Sequence, residues 1–93
     1  MNKVEALSLL EGQLRPWRER SWAQLREEVG QSHRFEVTGE SGTCYQGEIQ
    51  VFWDDKTDGA IRVMASIDDG GWRAFVPLTD DFILAPDGTF VDE

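Results

Sequence analysis

The sequence predicts a single α+β domain over residues 1–93, with helices in 1–30 and an antiparallel sheet in 31–93. Apolar residues first recur at helical spacing, and from Ser32 onward they alternate with polar residues as in strands. Short Gly-containing turns separate the alternating segments, which is typical of an antiparallel meander. We therefore expect one or two N-terminal helices on one face of a four-stranded meander, followed by a short C-terminal β-hairpin.

Two helix starts are visible before the strands. Asn2 begins a capping box in which Glu5 reaches back to the Asn2 backbone, and a first helix is predicted from there to residue 14. Pro16 then predicts a break or a fresh start, because proline lacks a backbone N–H. Ser21 caps a second helix, which Gly30 ends. The apolar faces of the two helices are Val4, Leu7, Leu10 and Leu14, and Trp22, Leu25 and Val29.

The first predicted turn sets the register of the first two strands. A three-residue loop over 40–42 places Val37 opposite Tyr45 and Phe35 opposite Gly47. Two further turns then extend one continuous apolar face across all four strands. The members of that face are Phe35, Val37, Tyr45, Gly47, Ile49, Val51, Trp53, Ile61, Val63, Ala65, Ile67, Trp72, Ala74 and Val76.

The second and third turns are predicted from their glycines. A loop over 57–59 with Gly59 in the left-handed position places Val51 opposite Ala65. A type I′ turn at Asp69-Gly70 places Ile67 opposite Trp72, which makes 72–76 the fourth strand. After a turn at 78–81, residues 82–85 and 89–91 are predicted to form the C-terminal hairpin around a three-residue loop.

The opposite face of the predicted sheet is polar, with one exception. Phe52, Met64 and Phe75 form an apolar row across three strands, beside Arg62 and Arg73. Such a row is either a protein-binding surface or a second small core that the C-terminal hairpin covers. The covering residues would then be Phe82, Leu84 or Phe90.

Acidic residues are expected to gather at the ends of the sheet. Alternate turns of a meander lie at the same end, so the aspartates of two turns come together. The five carboxylates of this end are Asp54, Asp55, Asp58, Asp80 and Asp81. We consider them, with the apolar row, as candidate binding residues.

The charge distribution indicates the kind of partner. The formal net charge is −9, of which residues 1–34 contribute +1 and residues 35–93 contribute −10. This acidity argues against nucleic-acid phosphates as ligands and favours a basic protein partner, although it also serves solubility alone. We expect no membrane segment and no signal peptide. Because Cys44 is the sole cysteine and no internal disulfide is possible, we also expect a cytoplasmic location.

The residues that carry most enzyme chemistry are sparse. Cys44 and His33 fall on opposite faces of paired strands, which argues against a Cys-His nucleophile or metal site. Cys44 is expected to be a buried or half-buried inert thiol, and His33 to be structural or on the surface. The run 54–59 starts like a calcium-binding loop, but Lys56 occupies a ligand position. We therefore expect no metal and no cofactor, and a paired-aspartate enzyme is the less favoured alternative.

Two resemblances concern the strands. The run Glu48-Ile49-Gln50-Val51-Phe52-Trp53-Asp54-Asp55, with 66–75 and Ala85-Pro86-Asp87-Gly88, resembles a group of short bacterial proteins of unknown function. That resemblance covers roughly 35–93 and implies one domain of this length, without catalytic residues. Asp68-Asp69-Gly70-Gly71-Trp72 is also similar to turns of small immunity proteins of bacterial toxin systems, with Gly70 where those turns are expected to carry Pro.

Three functions follow as expectations. The first is a non-catalytic, acidic protein-interaction module, of which an immunity-type inhibitor of a basic partner is one form. The second is a small enzyme or ligand-binding domain that uses Arg62, Arg73 and the loop aspartates. The third is a self-associating domain with the Phe52 row at a homodimer interface.

Overall fold

A computed structural model describes residues 2–70 and 77–92 of the chain. Two helices precede four strands, and the strands form one sheet in the order β1-β2-β3-β4 with every neighbouring pair antiparallel. The predicted α+β class, with N-terminal helices on a four-stranded meander, is confirmed. The elements are α1 (Lys3–Arg18), α2 (Trp22–Glu28), β1 (Ser32–Thr38), β2 (Cys44–Trp53), β3 (Ile61–Asp68) and β4 (Leu78–Leu84).

Helix α1 begins as predicted and ends later. The Asn2 side chain accepts a hydrogen bond from the backbone N–H of Glu5 at 3.1 Å, which is the expected N-cap. The predicted break at Pro16 is wrong, because α1 continues to Arg18 with Pro16 in its last turn. Proline costs that turn one N–H donor. The turn nevertheless places Trp17 in the core.

Helix α2 follows the predicted pattern. Ser21 and Gln24 form a reciprocal capping box, and Gly30 follows the helix with φ of +87°. Leu25 is fully buried, while Trp22 and Val29 are half-buried against the core. The apolar face predicted for this helix is therefore the face that packs.

Both helices lie on the same side of the sheet. Helix α1 packs on β3 and β4, and α2 packs on β2 and β3. Each fully buried Leu, Ile or Val side chain contributes about 1.5–3 kcal/mol to this layer. The buried core consists of Ala6, Leu10, Leu14, Trp17, Leu25, Tyr45, Ile49, Val51, Ile61, Val63, Ala65, Ile67, Phe82 and Leu84.

The register of β1 against β2 is the predicted one. Phe35 lies opposite Gly47 and Val37 lies opposite Tyr45. The loop between the strands closes with a bond from the Gly39 N–H to the Thr43 carbonyl at 2.9 Å. Gly42 has a φ of +88°, as a three-residue loop of this kind requires.

The register predicted for β2 against β3 is wrong by two residues. Val51 lies opposite Val63, not opposite Ala65. The connection is longer than predicted, because Asp54 donates its N–H to the Ala60 carbonyl at 2.9 Å and closes a loop over 54–60. Asp58, with φ of 64°, takes the left-handed conformation expected for Gly59. A shift of two residues keeps every side chain on its predicted face.

The fourth strand lies further along the chain than predicted. Ile67 pairs with Leu78. The predicted type I′ register of Ile67 with Trp72 involves a residue outside the described part of the chain. The segment 71–76, where the fourth strand was expected, lies outside the described residues. Residues 78–81 belong to β4 and do not form the predicted turn. Burial explains the choice of strand, since β4 places Phe82 and Leu84 in the core.

The C-terminal loop is confirmed, but the separate hairpin is not. The Ala85 N–H donates to the Thr89 carbonyl at 2.8 Å, and Gly88 has a φ of +88°. The first arm of the predicted hairpin is the end of β4, and its second arm makes only a bridge between Phe90 and Leu84. The terminal segment therefore extends the main sheet.

Candidate functional site

The side of the sheet away from the helices is the candidate site, and we call it the open face. Strand β3 shows the division most clearly, since its residues alternate between buried and half-buried along its whole length. The core residues occupy one side, and neither described helix packs on the other. The open face carries Ser32, Arg34, Glu36, Thr38, Cys44, Gln46, Glu48, Gln50, Phe52, Arg62, Met64, Ser66, Asp68, Thr79, Asp81 and Ile83.

Arg62 is at the centre of a charged network on this face. Its Nε and Nη2 atoms lie 2.9 and 2.8 Å from Asp54 Oδ1, and its Nη1 atom contacts Asp81 Oδ2. The hydrogen bond to Asp54 is the main cause that raises the pKa of Arg62, with a smaller contribution from Asp81, while burial acts in the opposite direction. A guanidinium held by two carboxylates has a fixed orientation. The network therefore presents a rigid group of net charge −1.

Apolar side chains surround Arg62. Phe52 lies directly opposite Arg62 on β2, and Ile83 lies opposite it on β4. Met64 is one position along the same face of β3, so Phe52 and Met64 are diagonal neighbours and not opposite each other. All three apolar side chains are half-buried. We call Phe52, Met64 and Ile83 the apolar patch.

The predicted row was Phe52, Met64 and Phe75, and the apolar patch contains the first two of these residues with Ile83 as its third member. Phe75 and Arg73 lie outside the described residues, so their places in the row are not described. Ile83 is the residue that the sequence reasoning missed, because 82–85 was assigned to a separate hairpin. Its signal in the sequence was the alternation of Leu78, Phe82 and Leu84 with outward residues, which predicts a strand of the main sheet.

The C-terminal segment does not cover the apolar patch. Phe82 and Leu84 are buried on the helix side of β4. The Phe90 ring packs edge-on against Phe82, with 5.7 Å between ring centres, and Arg18 lies over both rings. The predicted second core built from these residues is therefore wrong.

The five predicted carboxylates do not form one cluster. Asp54 and Asp81 meet on Arg62, whereas Asp80 lies in the middle of β4 opposite Ala65. Asp81 and Asp80 were expected in a turn at the end of the sheet, and the position of β4 overturns that expectation. The other two, Asp55 and Asp58, belong to the loop over 54–60, where Asp58 pairs with Arg26 at 2.9 Å.

A shallow acidic groove of about 580 Å³ lies on the β1 side of the open face. Gln46 bridges it by donating from Nε2 to Asp68 Oδ1 at 3.1 Å. Gly47 forms part of the groove floor, and on the helix side of the sheet the Phe35 ring lies against this glycine. Three carboxylates and one guanidinium line it, from Glu36, Glu48, Asp68 and Arg34.

A second polar cluster joins α1 to the turn between β1 and β2. Glu5 accepts hydrogen bonds from the Ser41 N–H at 3.0 Å, from Ser41 Oγ at 2.7 Å and from the Tyr45 hydroxyl at 2.9 Å. The predicted capping role of the Glu5 side chain is therefore wrong. The Ser41 backbone is the main cause that lowers the pKa of Glu5, while burial and then Glu5 raise the pKa of Tyr45. These contacts hold the elements together, so we assign the cluster a structural role.

Cys44 and His33 lie on opposite faces, as predicted. Cys44 faces the open side opposite Thr38 and is exposed, so the expectation of a buried or half-buried thiol is wrong. His33 is on the helix side, with Nε2 at 2.8 Å from Glu28 Oε2 and its ring beside Trp17. The register separates the thiol from the imidazole, so this pair does not form a nucleophile.

Among the residues that the structure describes, no group of three or more His, Cys, Asp or Glu side chains is arranged to hold a metal ion. Neither of the two described helices has the length and apolar character needed to cross a bilayer.

These features define a class: an α+β domain whose antiparallel sheet has one face covered by helices and one acidic face on which neither described helix packs. Comparison of the chain with protein-family models, with curated proteins and with solved structures found no match. The function is therefore argued from the open face itself.

Proposed function

We propose that this chain is a non-catalytic protein-interaction module that holds a basic partner protein on the open face of its sheet. The observation that supports this most is the apolar patch of Phe52, Met64 and Ile83 around the Arg62 network, on a face where neither described helix packs. Apolar side chains grouped on a sheet face and rimmed by charges are characteristic of protein-binding surfaces.

The charges around the patch favour a basic partner. Residues 35–93, which include the sheet except for the first three residues of β1, contribute −10 to the net charge. Glu48 and Asp68 lie on the same face as the patch, and the Arg62 network adds a further net negative charge. Such a field speeds association with a positively charged surface and disfavours an acidic one.

The rigidity of the network favours recognition over catalysis. Arg62 is bound by Asp54 and Asp81, so its guanidinium is already neutralised within the chain. A pre-ordered surface loses less conformational entropy when a partner binds. Two carboxylates of the chain already offset the positive charge that would attract an anionic ligand, and this favours the proposal over a ligand-binding site that uses Arg62.

The resemblance of 68–72 to turns of immunity proteins suggests a more specific form. In that form the basic partner is a toxin, and the module blocks it in the bacterial cytoplasm. The acidic open face is consistent with that role, because a charged inhibitor reaches a basic target at a high association rate.

A capture experiment with two matched variants tests the proposal. Immobilised wild-type chain, Phe52→Ser and Val4→Ser are exposed to lysate of the source organism, and the retained proteins are identified by mass spectrometry. Val4 is the control because it is a large apolar residue of α1 that is 81% exposed and far from the open face in the fold. Thermal unfolding of both variants checks that they are folded.

The expected result is a basic protein retained by wild type and Val4→Ser but lost with Phe52→Ser. Raising the salt to about 0.5 M should release it, since screening shortens the range of the attraction. Consistently empty captures would count against the module, and equal retention by Phe52→Ser would place binding elsewhere.

A further inference from the structure

Strand β1 has an outer edge that no other described segment covers. Within residues 2–70 and 77–92, β1 pairs only with β2. The other edge strand is partly closed, since the Ile83 carbonyl of β4 accepts a hydrogen bond from the Val91 N–H at 2.9 Å. Exposed edge strands are ready templates for another strand, and proteins often protect them with Pro or Lys. Strand β1 contains neither residue.

The hydrogen bonds that flank β1 identify its outward backbone groups. The Gln31 carbonyl accepts from the Val51 N–H at 3.3 Å, and the Gly39 N–H donates to the Thr43 carbonyl at 2.9 Å. Between Gln31 and Gly39, the odd-numbered residues therefore point their backbone N–H and C=O groups towards β2. Because these directions alternate in an antiparallel pair, the even-numbered residues present N–H and C=O groups to the free edge. Those residues are Ser32, Arg34, Glu36 and Thr38.

We propose that a second copy of this chain pairs with this edge, antiparallel and centred on Phe35. In that register Arg34 lies opposite Glu36 of the second copy, and Glu36 lies opposite the second Arg34. Ser32 and Thr38 form the outer pairs, so all seven residues of β1 take part. Opposite charges that face each other across strands stabilise the pairing.

Only the register centred on Phe35 places both Arg34 and Glu36 opposite a residue of opposite charge. Pairing requires that a residue with outward backbone groups lies opposite another such residue. The centre of the pairing is therefore at one residue of β1 and not between two residues. A centre at Arg34 or Glu36 places like charges opposite each other. A centre at His33 or Val37 leaves one charge opposite a hydroxyl and shortens the pairing. The charge pattern of β1 is therefore self-complementary about Phe35, which is why a second copy is the occupant we infer.

The resulting dimer has a defined form. About eight backbone hydrogen bonds join the two β1 strands, because each outward pair exchanges two. The two sheets become continuous, with all four helices on one side and both open faces on the other. This dimer differs from one built on the Phe52 row, and it leaves the apolar patches free, so the proposed function and the pairing can fail independently.

Reciprocal charge reversal tests the pairing. Molecular mass is measured for wild type, Arg34→Glu, Glu36→Arg and the double variant by sedimentation, from about 10 μM to about 1 mM, the range of weak interfaces. A reducing agent is present throughout, because exposed Cys44 is able to form an intermolecular disulfide. Glu11→Arg, on the exposed surface of α1, is the control for the change in net charge.

Wild type and Glu11→Arg should approach twice the monomer mass as concentration rises. Each single reversal should weaken the dimer about tenfold or more, since both cross-strand pairs become repulsive. The double variant should restore dimerisation, and so should an equimolar mixture of the two single variants, which carry complementary strands. Circular dichroism and thermal unfolding check that each variant is folded, since Arg34→Glu also faces Glu48 within the chain.

Two results would overturn the pairing. One is a wild-type chain that remains monomeric over the whole concentration range. The other is a dimer that both single reversals leave intact, or that the mixture of singles fails to restore, because the interface would then lie on another surface.

Discussion

Gly47 lies in the middle of β2, and a methyl group added there is expected to destabilise the sheet beside the acidic groove. A Cβ at this position would lie 2.2 Å from the Ser66 carbonyl oxygen and 2.3 Å from Cζ of Phe35. Real Cβ atoms essentially never approach within 3.0 Å. The Phe35 ring can rotate away, but the Ser66 carbonyl belongs to the β2–β3 pairing and moves only if the backbone shifts. The clash therefore cannot be relieved by side chains alone.

The cost of Gly47→Ala follows from this geometry. Overpacking of a well-packed region costs about 1–3 kcal/mol, and a domain of this size loses about 4–8 °C in Tm per kcal/mol. We expect Tm to fall by between about 4 and about 24 °C, measured by circular dichroism or calorimetry at neutral pH.

The matched control is the same substitution at Gly12. A Cβ at Gly12, within α1, meets no atom within 4 Å. Gly12→Ala should raise stability by about 0.5–1 kcal/mol, because alanine is the better helix former. If Gly47→Ala unfolds at the wild-type temperature or above it, the sheet accommodates the added methyl group and the expected clash does not exist.

Three further outcomes are expected. Glu5→Gln should lower Tm at pH 7, because Ser41 lowers the pKa of Glu5 from its ordinary value of 4.5 and the ionised carboxylate therefore stabilises the folded state. The difference in Tm between wild type and variant should be complete above pH 4.5 and shrink as the pH falls through the lowered pKa. A difference in Tm that is constant with pH contradicts this. Trp22→Phe removes the 2.9 Å bond from Nε1 to the Gly59 carbonyl and should cost about 1 kcal/mol in denaturant titrations; an unchanged midpoint argues against that bond. Cys44 should react fully with a thiol reagent in the native state, and a need for denaturant would place the thiol in the interior.

The left-handed position of a loop was predictable where a glycine takes it, as Gly42 and Gly88 do. Gly42 determined the β1–β2 loop, and the register of both strands followed. The loop after β2 contains both Asp58 and Gly59, and Asp tolerates a positive φ better than most residues. The structure places Asp58 there and shifts the register by two residues. The side chains nevertheless lie on their predicted faces of the sheet, because a register shift of two residues preserves their alternation along the strand.

Long-range contacts account for the other errors. The Asp69-Gly70 signal is local, whereas the choice of fourth strand depends on burying Phe82 and Leu84 under α1. The Glu5 side chain likewise was predicted to cap its own helix, but in the structure it accepts hydrogen bonds from Ser41, 36 positions along the chain. No pattern of neighbouring residues distinguishes these alternatives, because the deciding partner is known only once the chain has folded.

The same limit applies to the candidate site. The outward positions of Phe52, Arg62 and Met64 were predictable from alternation alone. The pairing of Arg62 with Asp81 was not, because it requires β4 to lie beside β3. The central charge network of the open face is therefore a consequence of the strand order.

Methionine NMR can measure whether the partner binds to the open face. The chain has two methionines, and Met64 is the one on the open face. With both methyl groups labelled with carbon-13, Met1 serves as an internal reference while the captured partner is added at low salt. We expect the Met64 methyl signal to shift or broaden much more than that of Met1, and to recover at about 0.5 M salt. Formation of the complex with an unchanged Met64 signal would mean that the partner binds to another surface.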